Sequence, residues 1–455
     1  MNSPATTDPD PRQRELDRLA GQAADVVRRC LGHGASQAEV VLNSDRGLSA
    51  SVRLGEVETI ERQRDRGIAV TVYFGQRKGS ASSADLDPAS LETTIAQACA
   101  IARHTEADPA AGLADPGRMA GSLRDLDLWH PWPVEANQAV ALARACEAAG
   151  LAVDARIGNS EGATVQTGES LGVYANSHGF VGAERSTRHS LSCVLVAGSG
   201  DTMQRDYWYD STRAIADLAD PATIGRRAAE RVLARLQARP LSTRECPVLF
   251  VPETARGLIG HFVSAVSGGP LYRRASFLLD SIGQRVFPSF LDIVERPFLA
   301  RGHGSTCFDS DGVATVDSDL VREGEVARYV LGSYSARRLG LASTGNAGGI
   351  HNLVVTGAAA PSFEDLLAEM GSGLVVTELM GQGVNLVTGD YSRGAAGFWV
   401  EHGRIVHAVE EVTIAGNLRE VFAGIVAVGG DVDRRSAILT GSILVGRMTV
   451  AGTDG

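Results

Sequence analysis

Residues 389–399 read Gly389-Asp390-Tyr391-Ser392-Arg393-Gly394-Ala395-Ala396-Gly397-Phe398-Trp399. This density of glycine beside charged and aromatic side chains indicates a backbone held in tight conformations, partly with positive φ, close to another surface. Short runs with strand character lie on both sides of the block, for example at residues 373–379 and 410–414. The block therefore predicts a glycine-rich region dominated by β-structure.

Two more glycine-rich blocks lie upstream, over residues 335–352 and 378–383. In all three blocks the polar side chains would either pin the local backbone or contact a substrate or partner. The residues by themselves leave both alternatives open. The candidates for an interface or for substrate binding are Arg337, His351, Asn352, Glu378, Asp390 and Arg393.

Helix and strand signals are mixed along the chain without a regular βαβ alternation, which is typical of the α+β class. The chain is loop-like over residues 108–125, and a second break follows Pro240. These breaks predict three domains. They are an N-terminal α+β domain over residues 1–120, a middle α+β domain over 121–240 and a β-rich C-terminal domain over 241–455.

The first two domains are predicted to combine helices with an antiparallel sheet. Asp87-Pro88 and Asp220-Pro221 each place an N-cap residue before a proline, which predicts that helices begin there. Gly55 and Gly67 separate short strand signals, which suggests an antiparallel meander. The predicted strands cover residues 38–42, 48–54, 57–61, 68–74, 163–167 and 171–176, and two helices of the C-terminal domain cover 253–266 and 362–370.

The charge balance argues against several partners and mechanisms. The chain carries 43 basic and 54 acidic residues, a net charge of −11, so nucleic acid is not expected as its main partner. Lys78 is the only lysine in the sequence. This argues against Schiff-base chemistry, a Ser–Lys dyad and a P-loop, because each needs a lysine.

The sequence predicts a cytoplasmic protein without membrane contact. Residues 1–14 are polar and lack the apolar segment that a signal peptide needs. No apolar run is long enough for a membrane-spanning helix. The six cysteines are widely spaced, which predicts reduced thiols rather than a disulfide framework or a zinc knuckle.

Common catalytic motifs are absent. The sequence contains no Walker A and no HExxH, and none of the histidines forms a metal-binding pair on a predicted helix. A metal site made from this chain alone would need ligands gathered from distant segments. Motifs therefore predict no catalytic and no metal-binding residue.

The glycine-rich blocks resemble the PmbA (TldE) branch of the TldD/PmbA family, and the resemblance covers nearly the whole chain. It implies a cytoplasmic protein that pairs with a TldD-like subunit in a zinc metallopeptidase. Such complexes trim leader peptides or degrade small unfolded proteins. Other matching stretches are Arg77-Lys78-Gly79-Ser80-Ala81-Ser82-Ser83, Asn176-Ser177-His178-Gly179, Ser186-Thr187-Arg188-His189-Ser190-Leu191 and Ser276-Phe277-Leu278-Leu279-Asp280-Ser281.

The resemblance also implies what this chain lacks. In the TldD branch a helix carries HExxxH, in which two histidines bind zinc and the glutamate is the general base. The equivalent helix here reads Arg256-Gly257-Leu258-Ile259-Gly260-His261, so only His261 is kept. Thr440-Gly441 lies near the place of the ligating cysteine. Zinc is therefore expected in the partner subunit and not in this chain, since a catalytic site needs about three protein ligands.

Three functions remain open from the sequence. The first is a non-catalytic subunit of a heterodimeric peptidase that shapes the chamber for a peptide substrate. The second is a homodimeric binding or scaffold protein without a proteolytic role, and the third is a hydrolase with an unrecognised site. His261 is expected to be a packed and hydrogen-bonded structural residue, with an interface role as its alternative.

Overall fold

The computed structural model describes residues 10–452, apart from the side chain of Asp201. The polar segment 1–14 was used above to argue against a signal peptide, and its residues 1–9 lie outside the described range. The helices are α1 (Pro11–Gly32), α2 (Pro88–His104), α3 (Ala136–Leu151), α4 (Pro221–Ala234), α5 (Pro252–Ala265), α6 (Gly268–Tyr272), α7 (Ser333–Leu339), α8 (Phe363–Met370) and α9 (Leu418–Ala423). Within the described range, no helix is long and apolar enough to cross a membrane.

The strands form three sheets, and the chain is an α+β protein as predicted. The strands are β1 (Gln37–Arg53), β2 (Glu56–Phe74), β3 (Arg77–Ser83), β4 (Asn159–Asn176), β5 (Val181–Ala197), β6 (Gln204–Thr212), β7 (Arg244–Phe250), β8 (Asp292–Glu295), β9 (Ser318–Arg322), β10 (Glu325–Val326), β11 (Leu353–Thr356), β12 (Gly373–Met380), β13 (Asp390–Glu401), β14 (Arg404–Asn417), β15 (Ile425–Val428), β16 (Ile438–Leu439) and β17 (Ile443–Ala451).

The first sheet has six antiparallel strands in the order β3-β2-β1-β4-β5-β6. Two pairs of helices pack on one of its faces. Helices α1 and α2 pack on Val40 and Leu42 at one end of β1, and α3 and α4 pack on Ala50 and Val52 at the other end. Because side chains alternate along a strand, these four even-numbered residues lie on the same face.

Glycines inside this sheet do not break its strands, contrary to the prediction. β1, β2 and β4 each join two of the predicted short strands. Gly67 is wrongly predicted as a break, because it pairs with Asn43 in the middle of the hairpin. Gly55, with a φ of 80°, does form the turn between β1 and β2. The pairing with Asn43 keeps Gly67 extended, and no local signal in the sequence predicts that pairing.

The first sheet spans both predicted N-terminal domains. Residues 39–52 of β1 pair with residues 163–176 of β4, so hydrogen bonds cross the predicted boundary at residue 120. The segment that contains this boundary connects α2 to α3. The division into three domains stays a prediction.

The C-terminal part is dominated by β-structure, as predicted. Its sheets have the orders β10-β9-β8-β11-β16 and β14-β13-β12-β7-β17-β15. In the second of these, β14 also pairs with β17, so one end of the sheet closes on itself. Helix α5 packs against β7, β12 and β16, which places it between the two sheets. Its buried side chains belong to the main hydrophobic cluster of this part of the chain.

Helices α5 and α8 confirm the two helices predicted in this part. Helices α6, α7 and α9 were not predicted, because segments of five to seven residues are too short to show helical periodicity. Strand β6 was also missed. It matters for function because it faces α5.

Helices α3 and α4 approach each other closely at Gly225. A Cβ atom there would lie 1.9 Å from the carbonyl oxygen of Cys146, so only glycine allows this approach. We expect Gly225→Ala to lower the free energy of unfolding by about 2 kcal/mol or more, because overpacking forces the helices apart. Chemical denaturation measures the change.

Gly21 of α1 is the matched control for this helical glycine. A Cβ atom added to Gly21 meets nothing within 4 Å. Gly21→Ala should therefore raise the free energy of unfolding by up to about 1 kcal/mol, since alanine is the better helix former. Two variants of equal stability would contradict the close approach of α3 and α4.

Candidate functional site

Helix α5 carries Arg256, Gly257 and His261, the residues predicted to stand at the positions of a zinc motif. Leu258, Ile259 and Phe262 bury one face of this helix in the core. The opposite face carries Arg256 and His261 and is partly exposed. The core contacts thus fix the rotation of α5 and turn the motif away from the core, toward β6 and β13.

Arg256 belongs to a network of ion pairs. Its Nη1 atom donates a hydrogen bond to the Tyr209 hydroxyl at 3.1 Å and lies 3.6 Å from Asp433 Oδ2. Arg435 lies closer to Asp433, with 2.8 Å between Nε and Oδ1, and it also contacts Glu253 at 3.0 Å. Burial alone would raise the pKa of Asp433, but the hydrogen bonds and charge of Arg435, and then the charge of Arg256, lower it. The carboxylate of Asp433 is therefore ionised and already paired.

Two adjoining cavities open beside the first half of α5. They have volumes of about 290 Å³ and about 860 Å³. Asp206, Arg231 and Glu253 line both of them. Gly257 lines the smaller one, and a Cβ atom added there meets nothing within 4 Å. Glycine at this position therefore leaves open space where a glutamate side chain would extend.

His261 lies about one turn beyond Gly257. Its ring stands edge-on to that of Tyr391 on β13, with 5.9 Å between the centroids. Its Nε2 atom is buried without a hydrogen-bond partner among the described residues, so this nitrogen does not make the hydrogen bond expected of His261. Burial, and then the positive charge of Arg393, lower the pKa of His261. The imidazole is therefore neutral near pH 7.

Comparison with known proteins assigns the family. Residues 38–102, 129–236 and 243–452 match the models of domain 1, the central domain and the C-terminal domain of the PmbA/TldA metallopeptidases. The chain belongs to the PmbA/TldD family.

Individual PmbA/TldD relatives are similar over almost the whole chain. Metalloprotease PmbA of Escherichia coli O157:H7 is 49% identical, and the match covers 97% of this chain and 98% of that protein. A solved structure from Bacteroides thetaiotaomicron, described as a candidate modulator of DNA gyrase, has a TM-score of 0.91 at 28% identity and covers 96% of this chain and 99% of its own. TldE from Thermococcus kodakarensis has the same fold, with a TM-score of 0.83, 21% identity and coverage of 95% and 100%.

The residues around α5 do not fit the zinc ion of a PmbA/TldD metallopeptidase site. Arg256 is a paired cation and Gly257 has no side chain, which leaves His261 as a single imidazole. At the place of the expected cysteine, a Cβ atom on Gly441 would lie 2.0 Å from the oxygen of Gly429. Residues 10–452 contain no group of three or more His, Cys, Asp or Glu arranged to hold a metal. One imidazole beside a guanidinium provides too few ligands for a catalytic zinc.

We expect the chain, purified by itself, to contain far less than one zinc per molecule. The reason is the replacement of a ligand and of the general base by Arg256 and Gly257. Elemental analysis after buffer exchange measures the content, and an HExxxH-bearing relative purified in the same way is the control. About one tightly held zinc per chain would contradict this prediction.

Two of the six candidate residues from the glycine-rich blocks lie at the smaller cavity. Glu378 and Arg393 line it together with Arg256 and Gly257. Asp390 does not line this cavity. It is three residues before Arg393, and residues three apart on a strand lie on opposite faces. Its carboxylate accepts hydrogen bonds from neighbouring side chains of a turn instead, and no ion pair joins it to Arg393 in the described chain. A role in substrate binding stays a prediction for these residues.

The other three candidate residues lie away from the two cavities beside α5. His351 and Asn352 are buried, at 7% and 0% exposure. The His351 ring bonds to the carbonyl of Gly345 at 2.8 Å, and Asn352 bridges two backbone segments at 2.8 and 2.9 Å. Arg337 donates to the carbonyls of residues 112–113. Their interface role stays a prediction, and these contacts favour the alternative of structural pinning.

Sequence reasoning missed several residues of this site. Tyr209, Asp433 and Arg435 surround Arg256 but stand in no motif. Tyr391 stands inside the block 389–399, two residues before Arg393, and strand alternation was the signal that could have placed both on one face.

Proposed function

We propose that this chain is the non-catalytic subunit of a heteromeric PmbA/TldD metallopeptidase that acts on unstructured peptides. The partner is an HExxxH-bearing, zinc-binding subunit of the same family. The observation that carries the proposal is Arg256, whose guanidinium is paired with Asp433 at the position of a zinc ligand. Because the base position is also empty at Gly257, chemistry on a peptide bond has to come from the partner.

The cavities beside α5 support a role in holding the substrate. The larger one is lined by aromatic side chains, Trp208, Phe363 and Phe398, and by charged residues of the loop 431–435. Its volume of about 860 Å³ lies in the range typical of ligand sites. A cleft that mixes apolar and charged walls suits an extended peptide, which presents side chains of both kinds.

A cytoplasmic location is part of the proposal. All six cysteines are free thiols, and all are buried. Burial raises the pKa of the Cys30 thiol to about 12, which keeps it protonated and unreactive. Six unpaired cysteines in one chain are typical of a protein in a reducing compartment.

The alternative, a homodimeric binding or scaffold protein, predicts a different assembly. The test is to mix the chain with an HExxxH-bearing relative from the same organism and to measure the mass of the product by size-exclusion chromatography with light scattering. We expect a heteromer that contains both chains. Two homodimers that do not exchange would contradict the proposal and favour the scaffold function.

A further inference from the structure

Three unpartnered polar atoms belong to side chains that come together where α5 meets β13. They are His261 Nε2, Tyr391 Oη and Arg393 Nε, and all three are buried without a hydrogen-bond partner among the described residues. Tyr391 is only 2% exposed. Tyr391 and Arg393 are two residues apart on β13, so their side chains lie on the same face, and His261 contacts the Tyr391 ring. Buried polar groups are normally satisfied, so a cluster of this kind calls for a ligand.

Arg393 differs from the other arginines of the smaller cavity. Arg205, Arg231, Arg235 and Arg256 each form an ion pair with a carboxylate. Within residues 10–452, no carboxylate and no hydrogen-bond acceptor contacts the side chain of Arg393. A partly buried guanidinium without a counter-charge is costly, and an anion at this place would remove the cost.

The open space of the smaller cavity reaches this cluster at Arg393. Arg393 and Gly257 line the cavity of about 290 Å³. A Cβ atom added to Gly257 or to Gly260 meets nothing within 4 Å. These glycines lie on the same side of α5 as His261, so a small planar group can approach along the helix surface.

The three groups can all donate hydrogen bonds. The Arg393 Nε–H is a donor only, and the neutral His261 ring donates from Nε2 in one of its tautomers. Burial raises the pKa of Tyr391 to about 12, so its hydroxyl keeps a proton to donate. Donors and a positive charge select an anionic acceptor, and a carboxylate matches the planar guanidinium best.

We propose that Arg393, Tyr391 and His261 form a binding site for a carboxylate of a peptide. This inference deepens the proposed function, because it names the group by which the subunit would hold a peptide. The carboxylate comes either from the C-terminus of the peptide or from an acidic side chain. The two sources present the same chemistry to the site.

Binding of three short flexible peptides to the full-length chain tests this proposal. One has a free C-terminal carboxylate and no acidic side chain, the second is its C-terminal amide, and the third is the amide with one internal glutamate. Fluorescence anisotropy measures each affinity. We expect at least one carboxylate-bearing peptide to bind about tenfold or more tightly than the plain amide. Whichever peptide gains the affinity identifies the source of the carboxylate.

Substitutions connect this preference to the site. Arg393→Gln should abolish it, and Tyr391→Phe should reduce it about threefold or more. Arg285→Gln is the matched control, because Arg285 is paired with Glu325 on the surface and should keep the full preference. Equal binding of the three peptides, or a preference that survives Arg393→Gln, would overturn the proposal.

Thermal unfolding without peptide gives a second readout. Tyr391→Phe should leave the melting temperature unchanged or raise it, because the hydroxyl has no partner in the free chain. Tyr329→Phe should lower it, because the Tyr329 hydroxyl accepts a hydrogen bond from the Ser281 N–H at 2.8 Å. A lower melting temperature for Tyr391→Phe would mean that its hydroxyl is satisfied within the fold, which removes the basis of the inference.

The two proposals can fail separately. Peptide binding is measured on this chain alone, whereas the heteromer is measured by its mass. A carboxylate preference without a heteromer would reject the peptidase subunit and keep the site. A heteromer whose subunit shows no carboxylate preference would reject the site and keep the function.

Discussion

Peptide cleavage is expected to appear only when this chain is combined with its HExxxH-bearing partner. Mixing should raise the cleavage rate of an unstructured peptide about a thousandfold or more above that of either chain, about 4 kcal/mol of barrier. This chain lacks a base at Gly257 and a ligand at Arg256, so it cannot activate water by itself. In the proposed complex, the cleft beside α5 of this chain would hold the peptide for the partner.

Two controls make this result specific. A partner whose motif glutamate is replaced by glutamine should assemble with this chain but cleave no peptide, which assigns the chemistry to the partner. Gly21→Ala in this chain should leave the rate of the mixture unchanged, because Gly21 lies on the exposed side of α1. A partner that is fully active by itself would contradict the prediction. Cleavage by this chain alone would instead support a hydrolase with an unrecognised site.

Glu295→Ala is expected to lower the free energy of unfolding by about 3–5 kcal/mol, the largest stability loss predicted for a single residue of this chain. Glu295 ends β8 and is 1% exposed. Its carboxylate pairs with Arg328, accepts two hydrogen bonds from Asn346 Nδ2 at 3.0 and 3.1 Å, and accepts one from the His351 N–H at 2.7 Å. Alanine would remove the counter-charge of the half-buried Arg328 and the carboxylate acceptor of Asn346 Nδ2, and it would leave the buried His351 N–H without its acceptor.

Glu325→Ala is the matched control, because Glu325 belongs to the same sheet but pairs with Arg285 on the surface. Its loss should change the free energy of unfolding by less than about 1 kcal/mol. Chemical denaturation of both variants measures the difference. If Glu295→Ala cost no more than Glu325→Ala, the glycine-rich block 343–352 would not depend on this carboxylate for its shape.

Local signals in the sequence were reliable where the structure depends on neighbouring residues. The side chain of Asp220 accepts a hydrogen bond from the N–H of Thr223 and Pro221 occupies the first turn of α4, as the Asp-Pro pair predicts. The turn at Gly55 was predicted for the same reason, since a positive φ favours glycine. Gly67 is also a glycine but does not form a turn, because its conformation is set by pairing with Asn43 on β1.

The glycine-rich blocks show the same limit at the level of function. Six polar residues of these blocks were candidates, but the sequence could not show which of them stabilise the local backbone and which contact a substrate or partner. His351 and Asn352 became buried pins, whereas Glu378 and Arg393 came to line a cavity. Burial and orientation decide between these roles, and both depend on which segments pack together.

The sequence by itself determined the family and the α+β class, and it predicted the loss of the zinc motif at Arg256 and Gly257. These follow from residue identities in a fixed order, and a missing ligand is missing in any fold. Only the tertiary structure decided that Arg256 pairs with Asp433 and that His261, Tyr391 and Arg393 meet without a counter-charge. The physical reason is that α5, β13 and the loop 431–435 are distant in the chain and are brought together by the burial of their apolar faces in one core.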